Sequence, residues 1–150
     1  MADYAGAIAS IRERLVAGWT ATRITFANEH PADPWPPRDA NEVSQPWVHL
    51  EVISEGSEIK GTGRPGHHVW TYKGTILVHV FVPIASGTDL AFQHAVAIGE
   101  IFRAAQFYNE TPGHAVRTLA PAIDGGGTAD DDGLWFRVTM SAPFTYVHRG

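Results

Sequence analysis

The chain has 150 residues, of which 44% are hydrophobic and 18% charged, with a formal charge of −5 and no cysteine. Folding at this length hides roughly two-thirds of the extended chain's surface, so a single domain over residues 1–150 with one core is expected. Absence of cysteine excludes thiolate metal sites, thiol nucleophiles and disulfides, and an acidic balance with a pI near 5.8 argues against a dedicated phosphate-backbone binder. No apolar run approaches the roughly 18 residues of a membrane span, and the N-terminus lacks the layout of a secretion signal, so a soluble protein with no membrane partner is expected.

Tyr4, Ile8, Ile11, Leu15 and Trp19 recur every three or four residues and predict an amphipathic helix. Asp3 is its expected N-cap and Gly18 its stop. Thr22 to Phe26 reads as a short strand with Thr22, Ile24 and Phe26 on one side and Arg23 and Thr25 on a wet one. Residues 28–46 carry Pro31, Pro34, Pro36, Pro37 and Pro46 among polar neighbours, which predicts a long extended loop. Val48, Leu50 and Val52 alternate with Trp47, His49 and Glu51, the pattern of a half-buried strand over Trp47 to Ile53.

After a glycine-rich turn, His67 to Val82 predicts a long strand whose second half is apolar on both faces and therefore central. A second helix from Thr88 to Phe107 turns Leu90, Ala91, Ile98, Ile101, Phe102 and Ala105 toward the core. A strand near Ala115 to Leu119, a Gly/Asp loop at 123–133 and a last strand from Leu134 to His148 complete the chain. Helices that punctuate the strands without alternating with each one predict an α+β fold.

Chemical motifs are sparse. Gly61-Thr62-Gly63-Arg64-Pro65-Gly66 has the letters of a dinucleotide loop, but a strand follows where that motif needs a helix, so a hairpin tip exposing Arg64 to a partner is the better reading. His67 and His68 point to opposite faces of one strand and His94 is alone on its helix, so no metal site is read from the spacing. Asp130, Asp131 and Asp132 beside Gly125 to Gly127 lack the alternating ligands of a calcium loop and read as a solvated acidic loop. Ser86, Thr88 and Asp89 are explained as helix caps. No catalytic residue, cofactor or metal is assigned, and no enzyme is expected. What stands out is apolar material beyond the core: Phe92 and Val96 on the second helix beside Arg103, and Trp35, Trp47 and Trp70. They suit a subunit contact, unless the proline loop folds back over the tryptophans.

The succession Pro46-Trp47-Val48-His49-Leu50-Glu51-Val52, then Tyr72-Lys73-Gly74-Thr75-Ile76-Leu77-Val78-His79-Val80-Phe81-Val82-Pro83, then Ser86-Gly87-Thr88 leading to Ile101-Phe102-Arg103, resembles the tail terminator family. Trp19, Phe26-Ala27-Asn28, Trp135-Phe136-Arg137-Val138 and Pro143-Phe144 extend the resemblance over nearly the whole chain. These are small virion proteins of long-tailed, siphovirus-like bacteriophages and of gene transfer agents. The resemblance implies a twisted, mostly antiparallel sheet with helices packed on it and a homo-oligomeric ring, a hexamer. In the family the ring caps the head-proximal end of the tail tube, ends its polymerisation and offers a docking surface to the head connector, while DNA passes through the lumen without specific binding. It implies synthesis in the host cytoplasm and residence in the particle's tail, and it brings no catalytic residues. A ring built from one repeated contact needs two unlike patches. Trp35, Phe92, Val96 and Arg103, and the tip with Arg64 and His67, are candidates for them, and Asp130 to Asp132 for a lumen or connector face. Another head–tail joining or minor tail protein, or a small-molecule enzyme or binding module, are the alternatives.

Overall fold

The computed structural model describes residues 2–61, 64–128 and 133–150. Helix α1 (Tyr4–Gly18) buries Ala7, Ile11 and Leu15, spaced four apart. The Asp3 carboxylate accepts the Gly6 N–H at 2.7 Å and caps the start, while the Trp19 N–H donates to the Leu15 carbonyl and closes the end. Removing the cap by Asp3→Ala is expected to cost about 1 kcal/mol. Urea unfolding monitored by circular dichroism measures it.

The strands are β1 (Arg23–Phe26), β2 (Trp47–Ile59), β3 (Val69–Pro83), β4 (Gln106–Phe107), β5 (Ala115–Thr118), β6 (Ala122–Ile123), β7 (Gly127–Thr128) and β8 (Trp135–Arg149), with helix α2 (Asp89–Phe102) between β3 and β4. They form one sheet in the order β1-β2-β3-β8-β5-β4, and β6 and β7 also pair with β8. β1 runs parallel to β2, and the other described pairs are antiparallel. The fold is α+β, as the sequence predicts. β3 is central because its alternate residues Ile76, Val78, Val80 and Val82 are fully buried while β2 and β8 flank it along its length.

Both helices lie on the same face of this sheet. Ala7, Ile11 and Leu15 of α1 and Ala91, Ala95, Ile98 and Phe102 of α2 share one core with Val48, Leu50, Val138, Met140, Phe144 and Tyr146. Small residues at 91, 95 and 99 let α2 come close to the sheet, so a Cβ at Gly99 would already sit 3.2 Å from Pro121.

Several expectations need correction. α2 ends at Phe102, five residues early, because Arg103 is extended and Ala104 has φ of 43°. Leu90 is 45% exposed and so does not belong to the core stripe. Phe92, expected on the free side of α2, is half-buried and packs on the core. On β1 it is Thr25 that is buried, since its hydroxyl is held by β2. β2 runs on to Ile59 although its apolar alternation stops near Ile53, because Gly56 to Ile59 pair with Lys73 to Trp70 across a bulge at Ser54/Gly56.

Candidate interaction surfaces

Strand alternation turns a second set of side chains to the face away from both helices. His49, Glu51 and Ile53 of β2, Lys73, Thr75, Leu77 and His79 of β3, and Arg137, Thr139, Ser141, Pro143 and Thr145 of β8 lie there, with Arg117 of β5 beside them. Across its middle the register aligns Thr25, His49, His79 and Thr139 in one row. The Thr25 hydroxyl meets His49 Nδ1 at 2.7 Å, and the two imidazoles face each other with centroids 6.3 Å apart. His79 is held at both nitrogens, by Thr139 Oγ1 and by Glu51 Oε2, each at 2.8 Å. Burial, and then the neighbouring His79, push the His49 pKa below its ordinary value against the opposing pull of Glu51.

Carboxylate, imidazole and hydroxyl thus follow one another as in a nucleophile triad, but the setting differs. Thr139 lies in mid-strand, its N–H donates to Asp124 Oδ1, and none of the clefts described on the molecule is lined by Glu51, His79 or Thr139. A triad works on a substrate held beside an oxyanion site. The row's hydrogen bonds tie the side chains of β1, β2, β3 and β8 to one another. Alternation within β2 puts His49 and Glu51 on one face in the sequence itself, whereas His79 and Thr139 join them only through strand order.

At the β1 end the proline loop folds back over this face. The Arg23 guanidinium donates to the Pro34 and Ala32 carbonyls and lies 5.1 Å from the Trp35 ring centroid. Trp35 packs edge-on against Trp47 at 4.7 Å, Trp47 stacks on Phe81 at 4.0 Å, and Trp135 closes the cluster. Trp35, a candidate for a subunit contact, is therefore engaged within its own chain, as the fold-back alternative has it.

At the far end the β2–β3 hairpin reaches its tip, where Arg64 and His67 are exposed. Beside its base, on the helix side, all four tyrosines of the chain gather with two histidines. Tyr4 stacks on Tyr72 at 4.4 Å, Tyr108 lies 6.0 Å from Tyr146, and His148 stacks on Tyr146 at 5.4 Å. Burial, and secondarily Tyr108, Asp3 and Tyr72, push Tyr146 up to about 12. His148 is lowered by burial and then by His114, 5.8 Å away.

Val96 is 51% exposed on the outer side of α2. Arg103 pairs with Glu100 at 2.9 Å with both side chains open to water, an arrangement that contributes little to stability. Asp130, Asp131 and Asp132 lie outside the described residues. A cleft of about 610 Å³ between α1 and the segment after α2 is lined by Ser10, Glu13, Arg14, Phe107, Tyr108 and Glu110. Its Arg14 is tied to the Ile101 carbonyl. Among the described residues, no group of three or more histidine, aspartate or glutamate side chains is placed to hold a metal ion, and no helix is long and apolar enough to cross a membrane.

No family model matches the sequence, and no curated protein matches it. Among solved structures, one whose label describes no activity is similar over 93% of this chain and 92% of its own, with 18% identity and a TM-score of 0.62. At that identity the likeness speaks for the fold alone.

Proposed function

We propose that the chain is a structural subunit that assembles with copies of itself into a ring, in the manner of the tail terminators it resembles. The observation that carries this reading is that large apolar side chains are left exposed on separate parts of the molecule. Val16 and Val96 are about half exposed on the helix layer, and Ile53 and Ile59 are 42% and 53% exposed on the β2–β3 arm. Apolar side chains left outside a core mark contacts, and two different patches are what a head-to-tail contact repeated around an axis requires. On this reading the tail tube protein and a head connector are the partners on the ring's two faces, and DNA crosses the hole without being held. The acidic balance of the chain fits that last role, because phosphates are repelled.

The test is the mass of the purified protein by light scattering over a concentration series, with negative-stain images of any large species. A closed species near six subunits with a central hole is expected, and Val96→Glu is expected to abolish it while leaving the fold intact. A chain that stays monomeric and also leaves the ends of tail tubes uncapped on mixing overturns the reading.

A further inference from the structure

The outer edge of β2 is only partly used. β1 covers it from Trp47 to Leu50, while β3 pairs with the other edge along the whole strand. From Glu51 to Ile59 no backbone group of the described residues pairs with the outer edge, and every residue from Ile53 onward is exposed. A strand edge of this kind presents a row of free N–H and C=O groups. Val52, Ser54, Ser57 and Ile59 lie on the helix side of the strand and Glu51, Ile53, Glu58 and Lys60 on the other, because the bulge at Ser54/Gly56 shifts the alternation by one residue. The charged groups along it are Glu51 beside His79, Glu55 accepting from Thr75, and Glu58 between Lys60 and Lys73 at 2.8 and 3.3 Å.

We propose that this edge pairs antiparallel with the same edge of a second copy of the chain, about a two-fold axis perpendicular to the sheet, so that two sheets become one. With the bulges facing each other, Glu51 stands opposite Lys60 of the other copy, Val52 opposite Ile59, Ile53 opposite Glu58, Ser54 opposite Ser57 and Glu55 opposite Gly56. Residues of like face meet, as a ladder demands. In a regular strand a two-fold centre between two residues sets opposite faces together, and the extra residue of the bulge removes that conflict. The paired length matches the free length, because Glu51 is the first residue past the β1 pairing and Lys60 the first past the end of β2. The charges agree as well: each Lys60 lies between its own Glu58 and the other copy's Glu51, and no acid stands opposite an acid. A slip of two residues, the smallest that keeps each side chain on its face, sets Glu51 against Glu58 in one direction and Glu55 against Glu58 in the other. Charges and bulges ordinarily guard an edge against indiscriminate pairing; here they leave one register open.

The contact is isologous and does not depend on the ring reading. Sedimentation equilibrium up to about 500 µM, a range that reads dissociation constants weaker than about 1 µM, is expected to show a two-subunit species. Lys60→Glu sets acid against Glu51 at both ends and is expected to raise the dissociation constant about tenfold. Adding Glu51→Lys restores the opposite charges and is expected to recover the dimer. Because the chain has no cysteine, cross-linking reads the register directly. Opposite residues of antiparallel strands have Cα atoms about 4.5–5.5 Å apart, within the reach of a disulfide. Under mild oxidation a mixture of the Ser54→Cys and Ser57→Cys proteins is expected to give a linked dimer. Either protein alone is expected to give none, since like positions are offset by about 10 Å along the strands. Both serines are exposed, and circular dichroism with thermal melting checks that each variant is folded. A monomer at every concentration, a dimer indifferent to Lys60→Glu, a charge exchange that fails to restore association, or a link formed as readily by Ser54→Cys alone overturns the proposal. A ring that assembles while the mixed cysteine proteins stay unlinked overturns this contact and leaves the ring reading standing, whereas a linked dimer that never closes into a ring supports the contact and counts against the ring.

Discussion

Replacing Gly74 by alanine is expected to destabilise the fold by about 3 kcal/mol, the upper part of the range for overpacked cores. Glycine in a central strand weakens it, so its presence there calls for a packing reason. Gly74 is buried in β3, opposite Ser54 on one side and Phe144 on the other. A Cβ there would collide with the Ile53 carbonyl oxygen and come within 2.6 Å of Phe144 Cε1 and 2.8 Å of Cζ. The missing side chain is thus the notch that takes the Phe144 ring, which is 1% exposed. Phe144→Ala leaves that notch empty and is expected to cost about 3–5 kcal/mol. Because the two residues share one space, their effects are not additive. Phe144→Leu in the Gly74→Ala background is expected to return part of the loss, and only part, since the carbonyl clash stays. Urea melts of the wild type, Gly74→Ala, Phe144→Leu and their combination close the cycle, and additive effects would show that the ring and the glycine do not compete.

Much of this architecture is legible in the sequence because strand and helix periods are strong where a face is fully buried. Val48, Leu50 and Val52, the alternate residues Ile76, Val78, Val80 and Val82, and Ile11 with Leu15 sit in the core shared with the helices as their spacing says. The departures occur where burial is incomplete or where the contact is distant in sequence. The arm from Ile53 to Ile59 is strand by pairing alone, its side chains being exposed, so no alternation announces it. Phe92 and Leu90 exchange their expected environments because α2 presents alanines and a glycine to the sheet, which rotates the buried stripe toward Ala91, Ala95 and Gly99. Trp35 reads equally as an interface residue or a lid residue until Arg23 is seen holding the loop's carbonyls. The His49–His79 row is half legible: β2 alternation puts His49 beside Glu51, but only the antiparallel register supplies His79 and Thr139.

Acidification from about pH 7.5 to about pH 5 is expected to lower the melting temperature well before the carboxylates titrate. Three histidines on separate parts of the fold have pKa values pushed down in the folded chain. His49 is lowered by burial and then by His79, His94 by burial, and His148 by burial and then by His114. Each is held neutral by its surroundings: His94 sits edge-on to Trp19 with centroids 5.0 Å apart, and His148 stacks on Tyr146. The unfolded chain takes up protons near the ordinary histidine value of about 6.5, before the folded chain does, so lowering the pH through that value favours unfolding. The stabilising contribution is complete above the unfolded value and is lost as pH falls through the lowered ones. Glu58 acts in a separate window. Its carboxylate is lowered by hydrogen bonds from Lys60 and then Lys73, so its contribution disappears only at more acid pH, near and below the ordinary glutamate value of 4.5. His94→Phe keeps an aromatic edge against Trp19 and removes one titrating group, so its melting temperature is expected to fall less over the same range. A wild-type melting temperature that stays flat from pH 7.5 to pH 5, or a His94→Phe variant with an unchanged slope, would show that these rings are not held neutral by the fold.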